Sequence, residues 1–355
     1  MHSKNRKEVS LKKDLNLLYE MYKCRALSTA QVAQVRGLAK WYVYEKLEQL
    51  RDKGLIYSEQ ISGNYIPDQK RQGKYHRISG KGIKLLKEYG YQADYTADEL
   101  RVSKYRLPYL LTANDLFLSL REDGWEYRDS REIKNFHSLH RNDVLQGTLT
   151  NPNGNKEYAL YIFFKKINHD TLVRIKREIQ RIPFENILIT TRGESSFYSV
   201  IDAFTTNEDK LIKGGSVKVL PFAFAKSYLA ISNDNREKHE HFLKELGLEL
   251  KADRSNKNIF ESSVKFDYIV RHKGIEKYFV DLLDNDLMKI EEVLRYRKED
   301  YKREGKKVLA LTSTAKGHID LHKKMLGGMR HIEYYTIDPK KVIAFADHLS
   351  NKKHF

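Results

Sequence analysis

A single cysteine, Cys24, stands among 355 residues, so neither an internal disulfide nor a cysteine-rich zinc site can form. No stretch approaches the ~18 uninterrupted apolar residues that a membrane span needs. The opening residues, Met1 to Lys7, are polar with no apolar core behind them, so no secretion signal is expected. The glycine pairs Gly214-Gly215 and Gly327-Gly328 lack the lysine and spacing of a phosphate loop, which sets nucleotide binding aside. Acidic residues are scarce beside basic ones. A soluble, cytoplasmic chain with no membrane partner is the expectation.

What is present is positive charge and enough apolar content for several cores. Sixty-five Lys and Arg against 48 Asp and Glu leave a net charge of +17, and 40% of residues are hydrophobic. That length and content suit two or three packed domains. A field of this sign attracts polyanions, nucleic acid foremost. Residues 1–95 hold 19 Lys and Arg against 10 Asp and Glu, so over half of the excess lies in about a quarter of the chain.

The first 95 residues carry a readable pattern. Leu11, Leu15, Leu17, Leu18 and Met21 have helical spacing. Ser28-Thr29-Ala30-Gln31 has the form of a capping box that opens a short helix, and Gly37 suits its left-handed end. A third helix is expected from Leu38 to about Lys53, with Ala39, Val43, Leu47 and Leu50 on its inner stripe and Gly54 closing it. Leu55-Ile56-Tyr57 and Tyr75-His76-Arg77-Ile78 read as strands flanking a polar loop, and a last helix follows Gly82. This is the helix-turn-helix order followed by a β-flap.

The segment resembles winged-helix DNA-binding domains, most of all in the run LEQLRDKGLIYSEQ from Leu47 to Gln60. The resemblance implies double-stranded DNA as partner, with the third helix in the major groove and the wing on the flanking backbone. Lys40, Trp41, Tyr42, Tyr44 and Lys46 lie off the inner stripe and are candidates to face DNA, and Lys70, Arg71 and Lys74 would meet phosphates from the wing. A protein–protein role for Trp41 or Tyr44 is the alternative.

Beyond a linker at 91–106 and an apolar helix at 109–120, two stretches look alike. One runs from Asp143 through strand residues 158–164, a helix from about Asp170 to Arg181, and a strand at 187–191. The other runs from Asp267 through strand residues 278–283, a helix from about Met288 to Lys302, and a strand at 308–314. A continuous apolar strand after a crossover helix belongs in a mixed or parallel sheet. The expected organisation is an α+β multidomain chain: a winged helix-turn-helix at 1–95 and α/β units at 107–230 and 240–350.

Each stretch resembles the core of restriction-endonuclease-like nucleases. With the N-terminal module, the chain resembles the plasmid replication-relaxation family, which includes mobilisation relaxases. In such cores an aspartate and an Asp/Glu-x-Lys motif bind a divalent metal and activate water. In the first stretch Asp143 matches the leading aspartate, but Tyr161 and Phe163 stand at the other two positions. In the second, Asp267 and Asp281 match the carboxylates, Leu283 stands where the lysine belongs, and Lys289 could reach in from the helix. The resemblance implies, for an active enzyme, Asp267 and Asp281 as metal ligands and catalytic residues with Lys289, and Mg²⁺ or Mn²⁺ as cofactor. The incomplete sets favour no cofactor and no nuclease activity.

The leading expectation is a sequence-specific duplex-binding protein of a plasmid or mobile element, acting in replication initiation, DNA relaxation or mobilisation. A homodimer is one assembly it allows. A metal-dependent nickase and a winged-helix transcriptional regulator are the alternatives. His239-Glu240-His241 sits in a charged run and is expected on a solvated helix face, and Lys218 to Phe224 is expected as a strand.

Overall fold

The computed structural model describes residues 2–61, 73–164, 167–205, 211, 213–232, 234–252, 264, 266–315 and 317–352. It is of mixed α+β class, and these residues form two compact units. Unit 1 comprises residues up to Glu122 together with Asp129–Glu132, and unit 2 the remainder. Among the described residues no helix is long and apolar enough to cross a membrane.

Unit 1 begins with α1 (His2–Cys24), β1 (Leu27–Ser28), α2 (Thr29–Arg36) and α3 (Lys40–Asp52). Both bonds of the capping box form: Gln31 N donates to Ser28 Oγ at 3.2 Å, and Ser28 N donates to Gln31 Oε1 at 2.9 Å. Gly37 ends α2 at φ 60°, where a side chain would be strained. Val43, Leu47 and Leu50 bury the inner stripe of α3. Next come β2 (Ile56–Gln60), β3 (Lys74–Ile78) and α4 (Gly80–Glu88), and the strands form a sheet in the order β1-β3-β2. Tyr57 pairs with Arg77 and Leu27 with His76.

His76 pins this sheet. Its ring nitrogens face Thr29 Oγ1 at 3.0 Å and Ser58 Oγ at 2.9 Å, and burial pushes its pKa down to about 4, so it stays neutral. Gly82 is a second constraint. A Cβ there would collide with the Leu55 carbonyl and come within 2.7 Å of Ile78 Cγ1. Gly82→Ala is therefore expected to cost about 2 kcal/mol through overpacking, measured as a lower denaturant midpoint with an unchanged slope.

The apolar helix expected to open the first α/β unit is α5 (Leu107–Leu120), and it belongs to unit 1. Gln31 Nε2 donates to Leu111 O at 2.5 Å and to Asp115 Oδ1 at 2.7 Å. Asn114 Nδ2 donates to Cys24 O at 3.1 Å and to Ala26 O at 2.7 Å. Two buried amides, invisible to an apolar-stripe analysis, couple this helix to the N-terminal module.

Unit 2 contains one strand arrangement twice. The first sheet has the order β4 (Glu126–Asp129), β5 (Gly147–Thr150), β6 (Glu157–Phe163), β7 (Asn186–Thr191), β8 (Val217–Pro221). The second has β9 (Glu249–Ala252), β10 (Tyr268–His272), β11 (Ile275–Asp281), β12 (Val308–Ser313), β13 (Ile332–Ile337) in the same sequential order. In each, an antiparallel hairpin is followed by two parallel strands. The crossovers are α7 (His169–Arg181) and α8 (Glu194–Thr205) in the first copy. In the second they are α11 (Leu287–Arg295) with α12 (Lys298–Glu304), then α13 (His318–Met325). Each copy closes with a helix, α9 (Phe222–Ile231) or α14 (Pro339–Lys352), and α10 (Arg236–Glu245) precedes the second sheet. The strand expected over Lys218 to Phe224 stops at Pro221, and α9 starts there. Proline has no N–H for a ladder and its fixed φ suits the entry to a helix.

Candidate functional site

Among the described residues, two places carry candidate functional side chains beyond core packing. The first is the outer side of α3. Trp41 is 60% exposed, Tyr42 49% and Tyr44 51%. The inner stripe turns Val43 and Leu47 inward, and this rotation leaves the three aromatics outside. The Trp41 and Tyr42 rings lie 3.5 Å apart between centroids. Lys46 departs from the expected arrangement. Its Nζ donates to Asp14 Oδ2 at 2.6 Å, tying α3 to α1, and it is largely buried. The cause is Asp14: a buried carboxylate requires a charge partner, and the long lysine stem reaches back to it.

Among the described side chains, the outer side of α3 is therefore aromatic rather than basic. Glu45 and Glu48 are exposed on it, and Arg51 is held by Glu48 at 3.1 Å. The cations of this module lie elsewhere: Lys53 after α3, Lys74 at the start of β3, and Lys81, Lys84 and Lys87 on α4 are exposed. Lys70, Arg71 and the Lys40 side chain lie outside the described residues.

The second place is an acidic centre at the end of β11. Asp267, Asp281 and Lys289 come together there as the sequence pattern suggests, but as an ion lattice. Lys289 Nζ lies 3.2 Å from Asp267 Oδ2 and donates to the Asp281 carbonyl at 2.9 Å. Asp267 Oδ2 accepts from the Asp281 amide at 3.0 Å. Asp281 is fully buried, and both its oxygens are engaged: Oδ1 with Leu283 N at 2.9 Å, Oδ2 with Tyr228 OH at 2.9 Å and His239 Nε2 at 3.0 Å. Burial alone would raise the Asp281 carboxyl, but the His239 hydrogen bond and charge outweigh it and hold it below the usual range. Burial would lower the Lys289 ammonium, but Asp267, Asp284, Asp281 and Asp286 raise it.

The lattice continues into a seam between the two copies. After β11 the chain turns through Asp284, Asn285 and Asp286, all buried. Val219 N of β8 donates to Asp284 O at 3.0 Å, Asn285 Nδ2 donates to Val219 O at 2.9 Å, and Val217 N donates to Asp286 Oδ1 at 3.0 Å. The turn thus extends the ladder of the first sheet's edge. Lys218 reaches Asp234 Oδ2 at 2.5 Å and Asp284 Oδ2 at 3.6 Å. Burial drives the Asp284 carboxyl up to about 6, with Lys289 and Lys218 opposing only in part.

These residues do not fit a resident divalent cation. Among the described residues no group of three or more histidine, cysteine, aspartate or glutamate side chains is placed to hold one. A metal at Asp267 and the Asp281 carbonyl would compete with the fixed Lys289 ammonium for the same oxygens. Both Asp281 carboxylate oxygens already accept hydrogen bonds, and the side chain is fully buried. In the first copy, Tyr161 OH donates to Glu178 at 2.9 Å, Glu178 accepts the Val144 and Leu145 amides, and Arg181 holds Asp143 at 2.5 Å. Asp143, Tyr161 and Glu178 are thus each engaged by a protein partner.

His239 was expected on a solvated face and is instead buried against Asp281, whereas His241 is exposed. The signal existed: His239, Phe242, Leu243 and Leu246 form an i, i+3, i+4, i+7 stripe. Lys218 and Tyr228 gave none, being isolated polar residues in apolar runs, and Asp234 gave none, being one polar residue among several in 232–236.

No protein-family model matches the chain, and no curated protein or solved structure matches it.

Proposed function

We propose that unit 1 is a winged helix-turn-helix and that the protein binds double-stranded DNA without cleaving it, α3 entering the major groove. The observation that carries this is the exposed trio Trp41, Tyr42 and Tyr44 on the helix that follows the capped α2 and Gly37 turn. The element order α1-β1-α2-α3-β2-β3-α4 suits such a module, and the surrounding lysines supply phosphate contacts. Aromatic side chains in the groove give apolar contact with thymine methyls and hydroxyl hydrogen bonds to base edges. The resemblance to the plasmid replication-relaxation family makes origin binding in replication, relaxation or mobilisation the role we propose. Under it the two α/β copies are endonuclease-like scaffolds whose acidic centre is an internal ion lattice.

Titration of labelled duplexes by mobility shift tests this. Trp41→Ala/Tyr44→Ala is expected to weaken binding to the preferred duplex 10- to 100-fold, about 1–3 kcal/mol, and to narrow its margin over random duplex. Unchanged binding in a folded double variant would overturn it. Supercoiled DNA incubated with Mg²⁺ or Mn²⁺ is expected to stay intact, and nicking that disappears in Asp281→Ala would restore the enzyme alternative.

One observation favours a second reading. With Lys46 withdrawn and Glu45 and Glu48 exposed, the α3 face also suits a protein partner. The same double variant separates the two, since only the DNA role changes the mobility shift.

A further inference from the structure

We infer that the second α/β copy carries its own phosphate-backbone grip, at the amino-terminal end of strands β12 and β13. The inference rests on the DNA-binding proposal and adds a second contact surface to it. Three helices share one face of this sheet. Ile290, Val293 and Tyr296 of the α11 segment pack in one core cluster with Leu326 at the end of α13, and Tyr301 of α12 and Met325 lie against it. The α11 and α13 ends are also tied directly. His331 Nε2 lies 2.8 Å from the Tyr296 carbonyl, and the Tyr301 and His331 rings stack with centroids 5.8 Å apart. Gly327 and Gly328, at φ 62° and 64°, turn the chain from α13 back to this point.

Residues 295–302 and 324–331 are therefore neighbours, and their outer side chains are cationic. Arg295, Arg297, Lys298, Lys302, Lys324 and Arg330 are all exposed, and none is paired with a carboxylate among the described residues. Acidic neighbours are mostly spent. Arg303 holds Asp300 at 2.7 Å and Glu304 at 3.1 Å, and Lys277 and Lys307 hold Glu333 at 2.5 and 2.9 Å, leaving Glu299 exposed.

Arg295, Lys302 and Lys324 lie in the last turns of α11, α12 and α13, where the helix dipole explains a cation, but Arg297, Lys298 and Arg330 are beyond what those three ends need. Self-repulsion of such a cluster disfavours the isolated fold and is relieved by a polyanion. The first copy shows that the architecture does not require it: at the end of α7 it places Arg181, locked to Asp143 at 2.5 Å. A duplex backbone is favoured over an anionic membrane because a membrane-docking face adds a broad apolar surface. The only exposed large apolar side chain among the described residues of the second copy is Ile275, on the β10–β11 hairpin.

The test is the salt dependence of full-chain binding to a random-sequence duplex, by fluorescence anisotropy. Each lost phosphate contact removes ~0.9 from the slope of log K against log salt. Lys298→Ala/Lys302→Ala/Lys324→Ala/Arg330→Ala is expected to lower that slope by about 3 and to weaken binding at least tenfold near 0.1 M salt. A charge-matched control, Arg174→Ala/Arg177→Ala/Lys244→Ala/Lys340→Ala, is expected to lower it by less than 1. Melting curves confirm that both variants are folded. Equal slopes for the two quadruple variants would overturn the inference, as would a parent chain that binds phosphatidylserine vesicles but no duplex. Failure of the α3 proposal reads differently: Trp41→Ala/Tyr44→Ala would leave discrimination between preferred and random duplex intact while the patch variant still lost its slope.

Discussion

Replacing Lys289 by alanine is expected to cost the fold about 3–5 kcal/mol at pH 8, read as a lowered urea midpoint. The ammonium touches Asp267 and the Asp281 carbonyl and is raised by the fields of four aspartates, so its loss leaves buried negative charge uncompensated. Lys289→Met, which keeps most of the stem, should recover packing but not charge balance, and should therefore remain several-fold closer to the alanine variant than to the parent. The loss has a pH signature. Asp284 has a folded pKa of about 6 against an ordinary value of 3.8. A raised carboxyl contributes stability that is fully present below ~3.8 and is lost as pH rises through 6. Removing Lys289 raises it further, so the deficit should shrink between pH 8 and pH 5. An equal deficit at both pH values, or one below ~1 kcal/mol, would show that the ammonium is not the centre's counter-charge.

Asp234→Ala is expected to cost a similar ~3–5 kcal/mol with the opposite pH trend. Asp234 is buried and receives Lys218 at 2.5 Å, Tyr158 OH at 2.7 Å and Lys156 at 3.4 Å. Burial would raise its carboxyl, but the Lys218 and Lys156 charges overcome this and hold it far below the usual range. Being depressed, it contributes stability present above its ordinary pKa and lost only in strong acid, so its own titration plays no part between pH 5 and 8. Without it, the buried Lys218 must turn to Asp284, 3.6 Å away. Asp284 is ionised at pH 8 and protonated at pH 5, so the Asp234→Ala deficit should grow as pH falls. Chemical denaturation at the two pH values tests both variants together. The same sign for both would refute the ion lattice as drawn.

Much of this architecture was legible beforehand because its cues are local. The Ser28 and Gln31 side chains act within four residues of their own backbone, Gly37 answers a left-handed turn at one position, and Val43, Leu47 and Leu50 state which side of α3 is buried. The repeated order of hairpin, parallel strand, crossover and strand followed from two runs of similar apolar pattern. Pairings of long polar side chains were less legible. Lys46 has the spacing of an outward residue, yet its ammonium swings to Asp14, 32 positions away. His239 sat on the apolar stripe of α10 but was masked by the charges around it. Asp267, Asp281 and Lys289 did converge, but whether they hold a metal or one another depended on Tyr228 and His239, which nothing nearby in the chain announces.

The amino-acid order by itself determined the helices of the N-terminal module, the capping box of α2, the twofold strand pattern and the sign of the overall field, since each arises from neighbours within a few residues or from simple charge counting. Only the tertiary structure decided which ionisable groups are consumed by internal partners and which remain for a ligand. A buried charge must find its complement wherever the fold brings one, and that distance is set by packing rather than by position along the chain.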